Sequence, residues 1–441
     1  MKKKNNNRIS IVPFLVVMFT AVVLIFAVNR AGQEEKESSS LSSSGLSDIS
    51  GTGISDISGI GISDFLPDDT KGTTDGSGSG ASDSTSSASG DSSASGTTDQ
   101  STSDTSEEAF SSLGYHYDQL DSPEQEVYSE MLTALQAREN HAEVDIIPED
   151  SLMKIFSGIL YDHPEIFWID NSVSFLYSSN VTSDRYEIGF EFTDDVSDID
   201  TQAAAIEAAV SPVVAQIDSI ADDYDKVTWI YEYLTKTVTY KAKAENSQNI
   251  RSTFLNHETV CAGYSLAFKY LCDRVGIPCV VMTGVAGGDF HEWNVVRVGD
   301  DWGYVDVTWG DTDDDFVCTH SYLELTSDEM KRSGHTVTDG YSYPSVTGTR
   351  MDYFRRNNLL YGELSTDKLS EIIGEAYNAG KSGVEMKFDS KDHYTSALAA
   401  VSDGSANNAI ANVYLSSGIF NYQTWYLSYD DLYVIQEIWK N

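Results

Sequence analysis

Cysteine is scarce in this chain: four residues in 441. Four thiols are too few for the disulfide scaffold of a small secreted domain, and no C-x-x-C pair occurs, which argues against a zinc ribbon. Basic charge is short too. Lys and Arg number 28 against 69 Asp and Glu, a formal charge of −41. Such a balance repels nucleic acid and anionic membrane surfaces, so neither is expected as a charge-driven partner. Between residues 29 and 108 aromatic side chains all but vanish, and Ser, Gly, Asp and Thr dominate. A segment of that kind cannot bury enough apolar area to offset its ordering entropy. It reads as a disordered linker, a stalk that lifts a domain off a membrane or through a cell wall. An eight-residue echo runs inside it, "GLSDISGT", "GISDISGI", "GISDFLPD". The repeat is too short and polar for a solenoid unit. An adhesive or calcium-binding tract using its aspartates is the other reading.

One long apolar run is present. Residues 1–8 form a basic tail with Lys2, Lys3, Lys4 and Arg8, and residues 9–28 are almost wholly apolar. That length spans a hydrocarbon core of roughly 30 Å as a helix. The positive flank predicts a cytoplasmic start and an outward-facing remainder. The reading is a single-pass signal anchor in the cell membrane; the alternative is secretion after signal cleavage. Against cleavage, Asn29 and Arg30 stand where small residues belong, and no lipobox cysteine exists.

From Ala109 the Tyr, Trp, Phe and Leu content returns, enough for a real core. Three stretches are expected: residues 109–221, helical with some strand; residues 222–345, carrying the chemistry; and residues 346–441, α/β. Ser122 reads as a helix cap with Pro123 at the first helical position. "YEIGFEF" and "DLYVIQEIW" read as strands, "DKVTWIYEYLTKTV" and "STDKLSEIIGEAYNAG" as helices, the latter closed by Gly380.

In the middle stretch, Tyr264, Ala267, Phe268, Leu271 and Val275 fall on one helical stripe. Gly276 and Pro278 end it. Thr259 is the expected cap, which puts Cys261 in the first turn. A thiol attacks only as thiolate, and the dipole and unpaired N–H groups of a helix N-terminus favour that form. Ala262 and Gly263 let a substrate backbone come close. An isolated cysteine more often packs in a core, as Cys272 and Cys279 are expected to do; a disulfide among those two and Cys318 stays open. What distinguishes Cys261 is a partner downstream. "HEWNVVRVGDDWGYVDVTWGD" reads as a hairpin turning at Gly299-Asp300. Val298 then faces Asp301, and His291 and Asp306 become diagonal neighbours on one face; a one-residue slip would separate them. A histidine held by a carboxylate activates a nucleophile. Aspartate is disfavoured inside a strand, so Asp306 demands a reason.

The motifs "VCAGYSLAFKYLCDRVGIPCVVMTG", "HEWNVVRV" and "WGYVDVTWGD", in that order, resemble the transglutaminase-like superfamily, in its bacterial secreted or membrane-anchored branch. The resemblance spans roughly residues 225–312. It implies an α+β fold: a papain-like core with a nucleophile helix packed on an antiparallel sheet, a helical N-terminal segment before it and an α/β segment after it. It also implies Cys261 as nucleophile, His291 as general base and then acid, and Asp306 as the orienting carboxylate. Acyl transfer or hydrolysis at amide bonds would follow, the oxyanion being held by backbone N–H groups near Cys261 and an upstream donor. Gln248 and Asn256 are the candidates for that donor. Tyr264 and Trp293 are cleft candidates, and Trp309 is better read as core. The glycine-rich "GVAGGD" reads as a mobile rim. The calcium sites of animal transglutaminases are not recognisable, and the acidic run "GDTDDDF", residues 310–316, reads as a solvated loop. No cofactor or metal is expected.

The expected function is an extracytoplasmic cysteine enzyme acting as a monomer on a peptide or protein substrate, cell-wall peptide among them. The alternatives are a catalytically silent binding or scaffold module that keeps the fold, and a structural surface protein whose main feature is its stalk.

Overall fold

The computed structural model describes residues 110–177, 185–193, 196–312, 318–408 and 423–440. The basic tail, the apolar run and the Ser/Gly/Asp-rich linker therefore lie outside the described residues, as do residues 313–316 of the acidic run. No helix among the described residues is long and apolar enough to cross a membrane.

The N-terminal stretch opens with α1, Ser122–Gln136. Its cap is Asp121 rather than Ser122: the Asp121 carboxylate accepts from Glu124 N–H while Glu124 reaches back to the Asp121 amide. That reciprocal pair satisfies two end donors at once, which a serine one residue later cannot do. Strand β1 (His141–Asp145), helix α2 (Glu149–Asp162) and strands β2 (Ile169–Tyr177) and β3 (Arg185–Phe192) follow. The strands form an antiparallel sheet in the order β1-β3-β2. Helices α3 (Ile199–Asp218) and α4 (Asp223–Thr237) lead into the middle stretch.

There, the two-residue strand β4 (Thr239–Tyr240) pairs in parallel with β5 (Glu258–Thr259) and holds the chain just ahead of helix α5, Cys261–Arg274. Of the expected stripe, Tyr264, Ala267, Phe268 and Leu271 are fully buried, while Val275 is the C-cap and only half-buried. Burial also runs through Cys261, Ala262, Gly263, Ser265, Leu266 and Lys269, so α5 is a central helix rather than an amphipathic surface one. Gly276, at φ +75°, turns the chain out of it.

Strands β6 (Cys279–Ala286), β7 (Asp289–Val298) and β8 (Asp301–Val305) form a meander, β8 leading into the short helix α6 (Val307–Gly310). Strands β9 (Leu323–Leu325) and β10 (Thr336–Val337) complete a five-stranded antiparallel sheet in the order β10-β6-β7-β8-β9, with helix α7 (Ser327–Arg332) between them. The second hairpin has Val298 opposite Asp301, with Gly299 at φ +58°. The first turns in two residues, Gly287 and Gly288, at φ +60° and +93°. Two consecutive positive φ values are what a tight hairpin turn asks for and what glycine supplies, so "GVAGGD" is a hairpin loop flanked by paired strand.

Both faces of this sheet are covered. Val281, Val296, Val305 and Leu323 join the core that includes α4, α5 and the N-terminal helices. Val280, Met282, Trp293, Val295, Tyr304 and Leu325 pack with Phe354, Leu432 and Val434 of the C-terminal stretch. That stretch contributes α8 (Tyr353–Arg356), β11 (Leu360–Tyr361), α9 (Thr366–Asn378), β12 (Gly383–Phe388), α10 (Lys391–Ser402), β13 (Gln423–Tyr429) and β14 (Val434–Lys440). Its sheet runs β11-β12-β14-β13, with α9 and α10 closing a core around Leu369, Ile373, Met386 and Phe388. A buried ion pair ties it to the rest: Lys387 Nζ lies 2.6 Å from Glu329, and 3.0 Å from Asp352 of its own stretch.

Candidate active site

Cys261 is the first residue of α5, and the residue before it, Val260, is the N-cap. The expected cap, Thr259, is engaged elsewhere: its Oγ1 donates to Ser247 O and sits 2.7 Å from Ser252 Oγ. A valine has no acceptor to offer the first-turn amides, so nothing on the cap residue competes with a substrate oxygen for them. Gly263 is required at this end, since a Cβ there would lie 1.9 Å from Thr259 Oγ1. The fit of helix to preceding strand, rather than substrate approach alone, explains that glycine.

His291 lies on β7 and Asp306 one residue past the end of β8. His291 Nε2 donates to Asp306 Oδ2 at 2.7 Å. Cys261 stands near enough to the imidazole to help raise it, and with Nε2 given to Asp306, Nδ1 is the nitrogen left for the sulfur. Burial alone would lower the His291 pKa; the charge and hydrogen bond of Asp306, with the contribution of Cys261, outweigh it and bring it to about 10. Burial would likewise raise Asp306, but His291 and then His335 hold it well below the usual carboxylate range. The reason for an aspartate at position 306 is now plain. It caps α6, Oδ1 accepting from Trp309 N–H at 3.0 Å, while Oδ2 receives imidazole. The structure thus brings Cys261, His291 and Asp306 together.

Cys261 is 8 % exposed, against 0 % for Cys272. Tyr240, 47 % exposed, stands at the rim. Burial, with the nearby charges of Cys261 and Asp289, pushes its phenol up to about 12. All four cysteines are free. Burial and the hydrogen bond to Cys279 push the Cys272 thiol well up, and burial raises Cys318 to about 11.

The expected cleft residues need correction. Tyr264 is fully buried, its hydroxyl donating to Asp311, so it belongs to the core of α5 and lines no cleft. Trp293 is also buried, its ring stacked 6.1 Å from His291, so it backs the imidazole from inside. Trp309, read as core, is only half-buried and lies 5.5 Å from His291, against the Gly287 turn. Gln248 is half-buried in the turn before the nucleophile helix, and Asn256 is exposed at the end of the π-turn Ser252–Asn256.

Two functional candidates escaped the sequence reading. His335 Nε2 donates to the same Asp306 Oδ2 at 3.0 Å. Glu292, on the opposite face of β7 from His291, accepts from Ser265 of α5, and burial raises its carboxyl to about 7. The dipeptide "HE" carried the only signal for Glu292: an acid inside a strand bordering a buried helix. For His335 no local signal existed. The ligand atoms of His291, Asp306 and His335 lie within 4.8 Å of one another, so among the described residues these three side chains are the group able to converge on a metal ion, by giving up their mutual hydrogen bonds.

Residues 212–307 match the sequence profile of the transglutaminase-like superfamily. The chain therefore carries a transglutaminase-like segment, and Cys261, His291 and Asp306 all fall inside it. Solved structures similar to this chain include a TGase at 14 % identity and TM-score 0.24, covering 40 % of this chain and 51 % of that one. A proposed cysteine protease from Cytophaga hutchinsonii has 19 % identity and TM-score 0.21, over 31 % of this chain and 61 % of that one. The periplasmic domain of TgpA from Pseudomonas aeruginosa has 15 % identity and TM-score 0.21, over 28 % and 54 %. The chain thus spans between about half and three-fifths of these structures' lengths. No curated protein matches it.

Proposed function

We propose that the protein is a cysteine enzyme of transglutaminase-like type that works by acyl transfer or hydrolysis at amide bonds. The observation that carries this is the Cys261–His291–Asp306 constellation at the start of α5. His291 takes the thiol proton and Asp306 stabilises the imidazolium that forms. The thiolate attacks an amide carbonyl carbon. The oxyanion is received by the uncapped first-turn amides of α5, and His291 returns its proton to the departing amine as the tetrahedral intermediate collapses to a thioester. Water or a second amine then attacks the thioester, giving hydrolysis or cross-linking, and the sulfur leaves as thiolate.

The N-terminal basic tail and apolar run support a membrane-anchored, outward-facing enzyme, with peptide, surface protein or cell-wall peptide as substrate. The low exposure of Cys261 favours a second reading, a catalytically silent binding module. Alkylation across pH 5 to 9 separates the two. A catalytic Cys261 reacts well below pH 8, and His291→Ala slows it strongly near neutrality; reaction as an ordinary thiol supports the silent module. Amine-incorporation and peptidase assays against Cys261→Ala then identify the chemistry.

A further inference from the structure

The family-matched segment ends at residue 307, yet the carboxylate of the site is shared with a residue well beyond it. His335 is buried with its ring packed against two indoles, 4.6 Å from Trp309 and 5.0 Å from Trp293, both edge to face. Its Nδ1 lies 3.0 Å from Ser333 Oγ and its Nε2 3.0 Å from Asp306 Oδ2. The ring is therefore held at both nitrogens.

The backbone that delivers it is specified as closely. Gly334, at φ +84°, turns the chain out of α7, and His335 N–H donates to Met330 O at 3.0 Å. The next two residues form β10 on the edge of β6, with Val337 opposite Gly284. Gly284 in turn lies opposite His291 across β6 and β7. A Cβ on Gly284 would sit 2.0 Å from Thr336 O. Glycine at 284 is thus what lets β10 dock, and β10 is what places His335 behind the catalytic carboxylate.

We propose that His335 is a positioning residue of this site, a second imidazole that pins Asp306 Oδ2 so that His291 presents Nδ1 to Cys261. The inference deepens the enzymatic reading and rests on it. With Trp309 N–H on Oδ1 and His335 on Oδ2, the carboxylate has no rotational freedom left, and the line from Asp306 through His291 to the sulfur is held from its far end. Misplacement of about 1 Å in such a line costs on the order of 100-fold in rate.

The test compares two polar replacements of similar size. His335→Gln carries an N–H to about the place of Nε2 and keeps the donor to Asp306. His335→Asn places its N–H near Nδ1, toward Ser333, and leaves Asp306 short of a donor. Turnover and the rate of Cys261 alkylation at pH 7 are measured in the full chain, with thermal stability in parallel. Glutamine is expected within about five-fold of wild type, and asparagine roughly ten- to 100-fold slower in kcat with KM little changed. Equal rates in both variants, or losses that follow only melting temperature, overturn the inference while leaving the enzymatic reading intact. If wild-type Cys261 itself alkylates as an ordinary thiol, the enzymatic reading fails, and the role of His335 fails with it.

Discussion

Among the histidine–carboxylate clusters of the described residues, two look alike until the second ring nitrogen is followed. In one, His291 Nε2 meets Asp306 and the ring lies near enough to Cys261 to be raised by it. In the other, His320 Nδ1 lies 2.6 Å from Glu385 and Nε2 lies 3.1 Å from Glu232, with Tyr353 stacked at 3.9 Å. Both are nearly buried. In both, burial alone would lower the imidazole and the neighbouring carboxylates overrule it, to about 10 for His291 and about 9 for His320. A perturbed histidine thus does not by itself mark a catalytic site. His320 is saturated by acids on α4 and β12 and joins the C-terminal sheet to the core. His291 keeps one nitrogen for a thiol at a helix N-terminus, and that difference is the chemical one.

The largest expected effects sharpen this contrast. Cys261→Ala removes turnover to background in amine-incorporation or peptidase assays, and Asp306→Asn lowers kcat roughly a thousand-fold or more. His320→Leu leaves kcat per folded molecule unchanged but strands Glu385 without its cation. Denaturant titration should show a loss of about 3 kcal/mol or more. Equal damage to kcat by both histidine substitutions would erase the distinction between the clusters.

The pH dependence follows from the signs. Both histidines have folded pKa values above the ordinary 6.5, so their contribution to stability is full below about pH 6.5 and is lost as pH rises through about 9 for His320 and about 10 for His291. Glu232, held at about 2 chiefly by its hydrogen bond to His320, contributes above about pH 4.5 and is lost as pH falls through 2. His320→Leu should therefore flatten the decline of melting temperature between pH 6.5 and 9; an unchanged slope would show that His320 does not titrate with folding.

The smallest effect concerns Glu292. Its carboxyl is raised to about 7 by burial, opposed by Ser265 and by the charge of His291, and assisted by Asp339. A raised acid favours folding while protonated and costs stability once ionised. Glu292→Gln should thus stabilise the protein by about 2 kcal/mol at pH 8 and hardly at all at pH 4, read by chemical denaturation.

Much of the middle stretch was legible locally. The α5 stripe, its glycine stop and the hairpin register from Val298 opposite Asp301 all come from side-chain period and turn chemistry, which act over a few residues. Caps were less legible. Ser122 and Thr259 were each displaced, because Asp121 forms a better reciprocal cap and Thr259 is drawn into bonds with the π-turn before it. Tyr264 sits on the buried stripe that periodicity gave it, and only the cleft role attached to the resemblance misplaced it; Trp293 was misplaced for another reason. Periodicity assigns a residue to a face but does not say whether that face meets solvent or a second layer, and here both faces of the sheet are covered.

The order Cys261, His291, Asp306 and the register joining the last two were set by sequence alone, because a strand's two-residue period and a two-residue turn leave one alignment. That His335 stands behind Asp306, that Glu292 lies against the nucleophile helix, and that His320 is saturated by two acids were decided only by the tertiary structure. Each depends on segments tens of residues apart meeting at an edge or across a layer. No local pattern encodes such a meeting, since it is the packing of completed elements, as where β10 docks beside Gly284, that selects it.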